Sequence, residues 1–265
     1  MNETSFPRWL KWSLLGALAV LVLGYGAIFL YAKVINDGPD EFDQDDLAAA
    51  LDEPANDASA DDTDDPSGDG STAIGTDEPE AEPGPATEEP ATEDRTSWRI
   101  VEGSEVGYRV KEILFGVDTE GVGRTGEVVG GIEISGSSVV SGEFIVDVAS
   151  ISSDDGRRDS QFRGRIMSTD EFPEASFALT TPIELGADPS DGLSVTATAT
   201  GELTLRGVTN QVTFEVTAQQ ENGRIGVLGS IRVVFADYAI ANPSFGGITT
   251  EDEGLLEFVL VLDRA

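Results

Sequence analysis

The chemistry open to this chain is set first by what it lacks. Its 265 residues include no Cys and no His. That removes thiolate nucleophiles, disulfides and sulfur-ligated metals, and with them the imidazole of Ser-His-Asp triads and of ordinary zinc or haem sites. Carboxylates, hydroxyls and guanidinium groups remain. Asp154-Asp155, Asp170-Glu171 and Glu251-Asp252-Glu253 supply carboxylate neighbours, but a glycosidase needs two carboxylates facing each other across a cleft, which adjacency in sequence does not provide. All three read as charged turns, and the chain is not expected to be an enzyme. Asp65–Gly70, DPSGDG, starts like a calcium loop, yet Thr76 stands where an EF-hand carries its Glu, and Pro66 interrupts the run. No metal and no cofactor is expected. Arg157, Arg158, Arg163 and Arg165 form the densest basic cluster. One reading is a solvated face paired with Asp154, Asp155 and Asp159. The other makes Arg158, Arg163 and Arg165 head-group ligands for a pyrophosphate or carboxylate, which guanidinium binds in bidentate fashion.

The elements that must position such groups fall into three segments. Residues 1–11 are expected to be a cytoplasmic N-terminus. Residues 12–32, WSLLGALAVLVLGYGAIFLYA, carry no charge and make about 30 Å of helix, enough for the hydrocarbon core. Arg8 and Lys11 precede this stretch, and Asp37, Asp40 and Glu41 follow it, so the positive flank stays in the cytoplasm. The apolar run is long and Leu30-Tyr31-Ala32 is a poor cleavage site, which favours an uncleaved signal anchor over a removed signal peptide. The expected location is therefore the cell membrane, single-pass, with the C-terminal part extracytoplasmic.

Sixteen basic against 50 acidic residues give a net charge of -34, which repels phosphate backbones and rules out nucleic acid as a partner. Residues 36–95 alone hold 22 acidic residues and one Arg. With few large apolar residues, 33–95 is expected to be a disordered acidic linker, roughly 40 Å end to end as a neutral coil.

Residues 96–265 read as one all-β domain. Candidate strands are 98–101, 105–110, 127–134, 139–151, 175–183, 193–205, 212–218, 224–235 and 255–262, with a short helix expected in 157–170. In 201–218, GELTLRGVTNQVTFEVTA, the period of two predicts a hairpin with one apolar face, turning at 207–210. Phe144, Val146, Phe177, Leu179, Leu203, Leu205, Phe214, Val216, Val233, Phe235 and Phe258 fall on inward faces of these strands. Pattern alone leaves two architectures, sandwich or barrel, and two uses of the apolar face: a filled core, as in an envelope interaction module, or the lining of a cavity. About eight strands is the number that encloses one small ligand.

Three motifs in order resemble the YceI-like family of extracytoplasmic polyisoprenoid-binding β-barrels, over about 97–265. They are Trp98-Arg99-Ile100 with Ser104–Val110; Arg158-Asp159, Phe162, Phe172-Pro173 and Phe177; and Gly201–Thr209, GELTLRGVT. Departures are the missing histidines and Phe235–Ile240, FADYAI, where the family has Arg-x-Asp-Phe-Gly. The resemblance implies an antiparallel, lipocalin-like barrel of about eight strands and a non-catalytic carrier or sequestering role. The eleven inward residues would then line a cavity for a chain lipid. Expected partners are that lipid, the membrane through the N-terminal helix, and a second copy in a homodimer.

Overall fold

The period-two alternation from Arg95 to Arg264 resolves into antiparallel strands that close on themselves. The computed structural model describes residues 8–30, 38–52, 95–185 and 194–265, with side chains in the first helix from Gly16. Four strands come first in the domain: β1 (Arg95–Ile100), β2 (Glu105–Leu114), β3 (Val117–Thr125) and β4 (Val128–Ser135). They are followed by β5 (Ser138–Asp147), β6 (Glu174–Thr181), β7 (Ile183–Glu184) and β8 (Ser194–Leu205), then β9 (Val208–Glu221), β10 (Arg224–Val234), β11 (Ile248–Thr250) and β12 (Glu253–Arg264). β1 and β2 are halves of one bent strand, as are β3 and β4. With β5, β6, β8, β9, β10 and β12 they form a closed eight-stranded barrel. Closure runs along β12, whose C-terminal half pairs with β1 (Ile100 opposite Leu262) and whose N-terminal half pairs with β2 (Val106 opposite Phe258). Ser104 pins the bend: its Oγ donates to the Val101 carbonyl at 2.8 Å and accepts from the Val261 N–H at 2.9 Å.

Two turns differ from the sequence reading. The β8–β9 hairpin turns at Arg206-Gly207, with φ of 50° and 73°, so Val208–Asn210 already belongs to β9. This is the two-residue turn whose positive φ values match strand twist. β3 was not expected at all. It pairs with β2 around Phe115-Gly116 (φ 48° and 87°), and Gly121 and Gly123 dilute its alternation.

The expected short helix is present. α3 (Gly156–Gln161) is capped by Asp155, whose Oδ1 accepts from the Arg157 N–H at 2.7 Å, and it continues as a π-helical turn, Phe162–Ile166.

The acidic linker needs correcting over 38–52. There α2 (Gln44–Asp52) is helical and lies against the outside of the barrel, with Leu47 and Leu51 0% and 1% exposed. They pack on Val259, Val261 and Leu228. The local cause is a reciprocal cap: Asp43 Oδ1 accepts from the Asp45 and Asp46 N–H groups, and Asp46 Oδ2 accepts from the Asp43 N–H. Phe42 joins the same cluster as Leu47, the hydrophobic staple that fixes a helix entry. The preceding residues cover a buried ion network. Glu257, 1% exposed, accepts from Arg109 Nε at 3.0 Å and Arg124 Nη2 at 2.8 Å. Residues 38–52 thus form a strap on the barrel: both arginines also donate to it, at the carbonyls of Pro39 and Asp40, and Arg124 lies 3.6 Å over the Phe42 ring. The rest of the expected linker up to residue 94, residues 33–37 and 53–94, lies outside the described residues, as does the candidate calcium loop.

At the N-terminal side α1 spans Arg8–Leu30. Among the described residues no helix is long and apolar enough to cross a membrane. Side chains of α1 are described only over Gly16–Leu30, shorter than the about 20 residues a span takes.

Candidate functional site

Inward side chains of the barrel divide its interior in two. Four phenylalanines, one each from β5, β6, β9 and β12, close a ring across the bore. Centroid distances are 5.5 Å for Phe144–Phe177, 5.3 Å for Phe177–Phe214, 6.1 Å for Phe214–Phe258 and 5.6 Å for Phe258–Phe144. Two glycines make room for this layer. A Cβ on Gly201 would sit 2.4 Å from the Phe177 ring, and one on Gly229 would sit 2.6 Å from the Phe258 ring. Leu203 and Ile231 complete the packed middle.

On either side lies an apolar cavity. The first, about 110 Å³, is lined by the four rings and by Ile132, Ile134, Leu179, Val216, Val227 and Leu260, among others. It reaches Gln219 and Gln220 at the β9–β10 end. The second, about 120 Å³, is lined by Val106, Val110, Val146, Leu205, Val233 and Phe235 with others. It reaches Glu112, Arg158 and Pro243 at the opposite end. Successive inward positions switch cavities at the ring: Phe144 and Val146 on β5, Phe177 and Ala175 on β6, Phe258 and Leu256 on β12.

Of the residues singled out from sequence, Phe144, Phe177, Leu179, Phe214, Val216 and Phe258 line the first cavity, while Val146, Leu205, Val233 and Phe235 line the second. Leu203 lines neither and is core. Val216 faces in and Glu215 faces water. The arginines separate. Arg158 lines the second cavity and pairs with Asp154. Arg163 donates to the Ile151 carbonyl at 3.4 Å and Arg165 to the Pro243 carbonyl at 2.9 Å; of the three head-group candidates Arg158 alone lines one of the two cavities. Opposite it, burial pushes the Glu112 carboxyl above its ordinary range, with Arg158 opposing and Asp154 adding to the rise. The Tyr108 ring stacks on Phe162 at 4.7 Å, and burial raises its phenol further from ionisation. Among the described residues no acidic cluster is arranged to hold a metal, and none of the paired carboxylates of the sequence lines either cavity, Asp154 reaching the second only through Arg158.

Sequence reasoning missed Ile132, Ile134 and Val227 as lining residues, although β4 alternates visibly at Ile132 and Ile134. On β10 the signal is broken by Gly226 and Gly229.

The YceI-like domain profile matches residues 98–262, more than half of the chain. The chain belongs to the YceI-like family. Among solved structures, a polyisoprenoid binding domain from Saccharophagus degradans, implicated in plant cell wall breakdown, superposes with a TM-score of 0.52 at 17% identity, covering 64% of this chain and 99% of that one. BcnA of Burkholderia cenocepacia gives 0.47 at 22%, covering 60% and 95%, and a YceI protein of Campylobacter jejuni 0.42 at 13%, covering 54% and 84%. At such identity the first shows a shared fold and nothing of its contents. No curated protein matches the chain. In this YceI-like barrel the family motifs hold turns and joints. Asp159 Oδ1 accepts from the Ser153 hydroxyl at 2.6 Å, and the Arg206 guanidinium sits 5.9 Å from the Phe172 ring.

Proposed function

We propose that this YceI-like barrel is a non-catalytic carrier that holds a polyisoprenoid or similar chain lipid along its axis, anchored by α1 to the outer face of a cell membrane. The observation that carries the lipid reading is the pair of apolar cavities lying end to end inside a closed barrel, on either side of the four-ring layer. A chain lipid fits such a shape because each buried methylene contributes about 0.8 kcal/mol and needs no directed partner. Arg158 and Glu112 sit where the polar end of the chain would lie. The anchoring reading rests on the uncharged stretch 12–32, about 30 Å as a helix; residues 1–11 would then be cytoplasmic and the barrel extracytoplasmic.

The test is solvent extraction of the full chain purified from its own membranes in mild detergent, with mass spectrometry of the extract. A prenyl or long-acyl lipid at near-stoichiometric yield is expected, and it should be lost when Phe144 is changed to Arg. Extracts that match the bulk membrane composition, at no more than detergent-micelle background, would refute the carrier.

A further inference from the structure

The end of the barrel that carries Arg158 and Glu112 is built to touch something apolar. There the β2–β3 hairpin overruns the rim: beyond Arg109 its strands leave β12, and Glu112–Leu114 pair with β11 instead. At the tip of this finger Ile113 and Phe115 are 45% and 59% exposed, and Phe245, in the adjoining connection, is 67% exposed. Backbone bonds hold the three together. The Phe115 N–H donates to the Gly247 carbonyl at 3.1 Å, and Phe245 and Ile248 exchange bonds of 3.1 and 3.0 Å. Outside α1 and Val129 and Ile145 on the barrel wall, these are the large apolar side chains that the described residues expose. Single exposed apolar residues are ordinary; three gathered at one rim mark a contact surface.

Two observations choose the contact. Ile28, near the end of α1, packs against Leu114, Val117 and Ile248 at the base of the finger, so the apolar helix leaves the barrel at this rim. In addition, the strap docks from Gly38 onward, with Pro39 and Asp40 bonded to Arg109 and Arg124. Residues 31–37 alone join it to α1, a reach of no more than about 28 Å fully extended. The 42 residues of 53–94 therefore run between two segments that both lie on the barrel, α2 and β1, and do not space the barrel from the membrane.

We propose that the finger and Phe245 dip into the interfacial layer of the bilayer that α1 enters, placing the mouth of the second cavity at the lipid head groups. Arg165, 6.0 Å from the Phe245 ring, lies at the same level. The lipid then passes between bilayer and barrel without crossing water. Amphipathic helices that lie on membranes bury their apolar faces about 5–10 Å into the head-group/acyl boundary, and the same depth would take in the tip of the finger. The proposal rests on the anchor reading of α1 and not on the identity of the lipid.

The chain has no native cysteine, so a single reporter can be placed. Thr249, exposed and paired with Ile113, is changed to Cys in the full chain, labelled with an environment-sensitive fluorophore, and reconstituted into phosphatidylcholine vesicles with or without bromine on the acyl chains. Ser194→Cys, at the far end of the barrel, is the control. Flotation with the vesicles scores the anchor separately. The expected result is flotation of both proteins and bromine quenching of the Thr249 label only. That quenching should be lost, at unchanged flotation, when Ile113, Phe115 and Phe245 are all changed to Ser. Flotation with an unquenched Thr249 label overturns docking and leaves the anchor standing. A blue-shifted, unquenched label that depends on protein density overturns it in favour of a second copy on this surface. Failure to float overturns anchor and docking together.

Discussion

Changing Val216 to Trp asks whether the first cavity is space or core. Val216 faces the cavity on β9, one inward position from Phe214. Filling 110 Å³ at about 24 cal/mol per Å³ recovers up to about 2.6 kcal/mol. Forcing a larger side chain into a packed wall costs about 1–3 kcal/mol. The two nearly offset, so lipid-free Val216→Trp should unfold within about 1–2 kcal/mol of the parent. The indole and a lipid cannot share the same volume, so lipid extracted from the variant should fall to background. Glu215→Trp places the same ring in water and should leave both stability and lipid unchanged. The assay is thermal unfolding of stripped protein alongside mass spectrometry of the unstripped form. A loss well beyond about 3 kcal/mol in the stripped variant would show that the wall has no room. Parent-level lipid in the variant would show that the lipid sits elsewhere. Either result refutes the reasoning.

The strap makes a second prediction: Leu47→Ala should weaken α2 docking by about 2 kcal/mol, the low end for a buried leucine because a surface helix can resettle. Amide exchange over 44–52 should then rise about 30-fold while β9 is unaffected, and unchanged exchange would mean that α2 does not depend on Leu47. A third concerns pH. Burial holds the folded Glu112 pKa above its unfolded value, so the folded state binds the proton more tightly. The associated stability is full below the unfolded pKa and is lost as pH rises through the folded one. Glu112→Gln should flatten the fall in melting temperature as pH rises above about 4, the ordinary Glu value, and a parental slope in the variant would assign that fall to another group.

Much of the barrel was written in alternation. Phe144 and Val146, Phe214 and Val216, and the run Leu256, Phe258, Leu260 declared their faces because a strand turns each second side chain the same way. What they could not declare was whether the faces meet. That depends on ring orientation and on glycines such as Gly201, which read as strand-weakening until Phe177 is seen lying over it. The strap was hidden by composition, since its two core leucines sit among Asp45, Asp46 and Asp52. Two local signals were nevertheless present. Phe-Asp-x-x-Asp-Leu at 42–47 is a cap with a staple, and β12 is apolar on both faces, with Val259 and Val261 between the inward Phe258, Leu260 and Leu262. A strand greasy on both sides is covered on both sides. The arginines were less legible for a different reason: spacing along a chain that passes from α3 into a π-turn does not fix direction, and of the three only Arg158 lines a cavity.

The four-ring layer sets what the barrel can hold. Each cavity is somewhat smaller than the 150 Å³ that holds a benzene in an engineered core, so a chain resting on one side of the layer buries only a few carbons. A longer chain must turn one ring aside. Each ring touches two others, at about 0.5–1.5 kcal/mol per aromatic pair, and a strained rotamer adds about 0.5–1.5 kcal/mol. Opening thus costs about 1.5–4.5 kcal/mol, which about two to six methylenes at 0.8 kcal/mol offset, on the order of one isoprene unit. A short apolar molecule never gains enough to open the layer, whereas a polyprenyl or long acyl chain offsets the opening by filling both cavities. On the proposed lipid reading, a preference for chains long enough to fill both cavities needs no specific contact, and it follows from placing four phenylalanines across a bore lined mainly by apolar side chains.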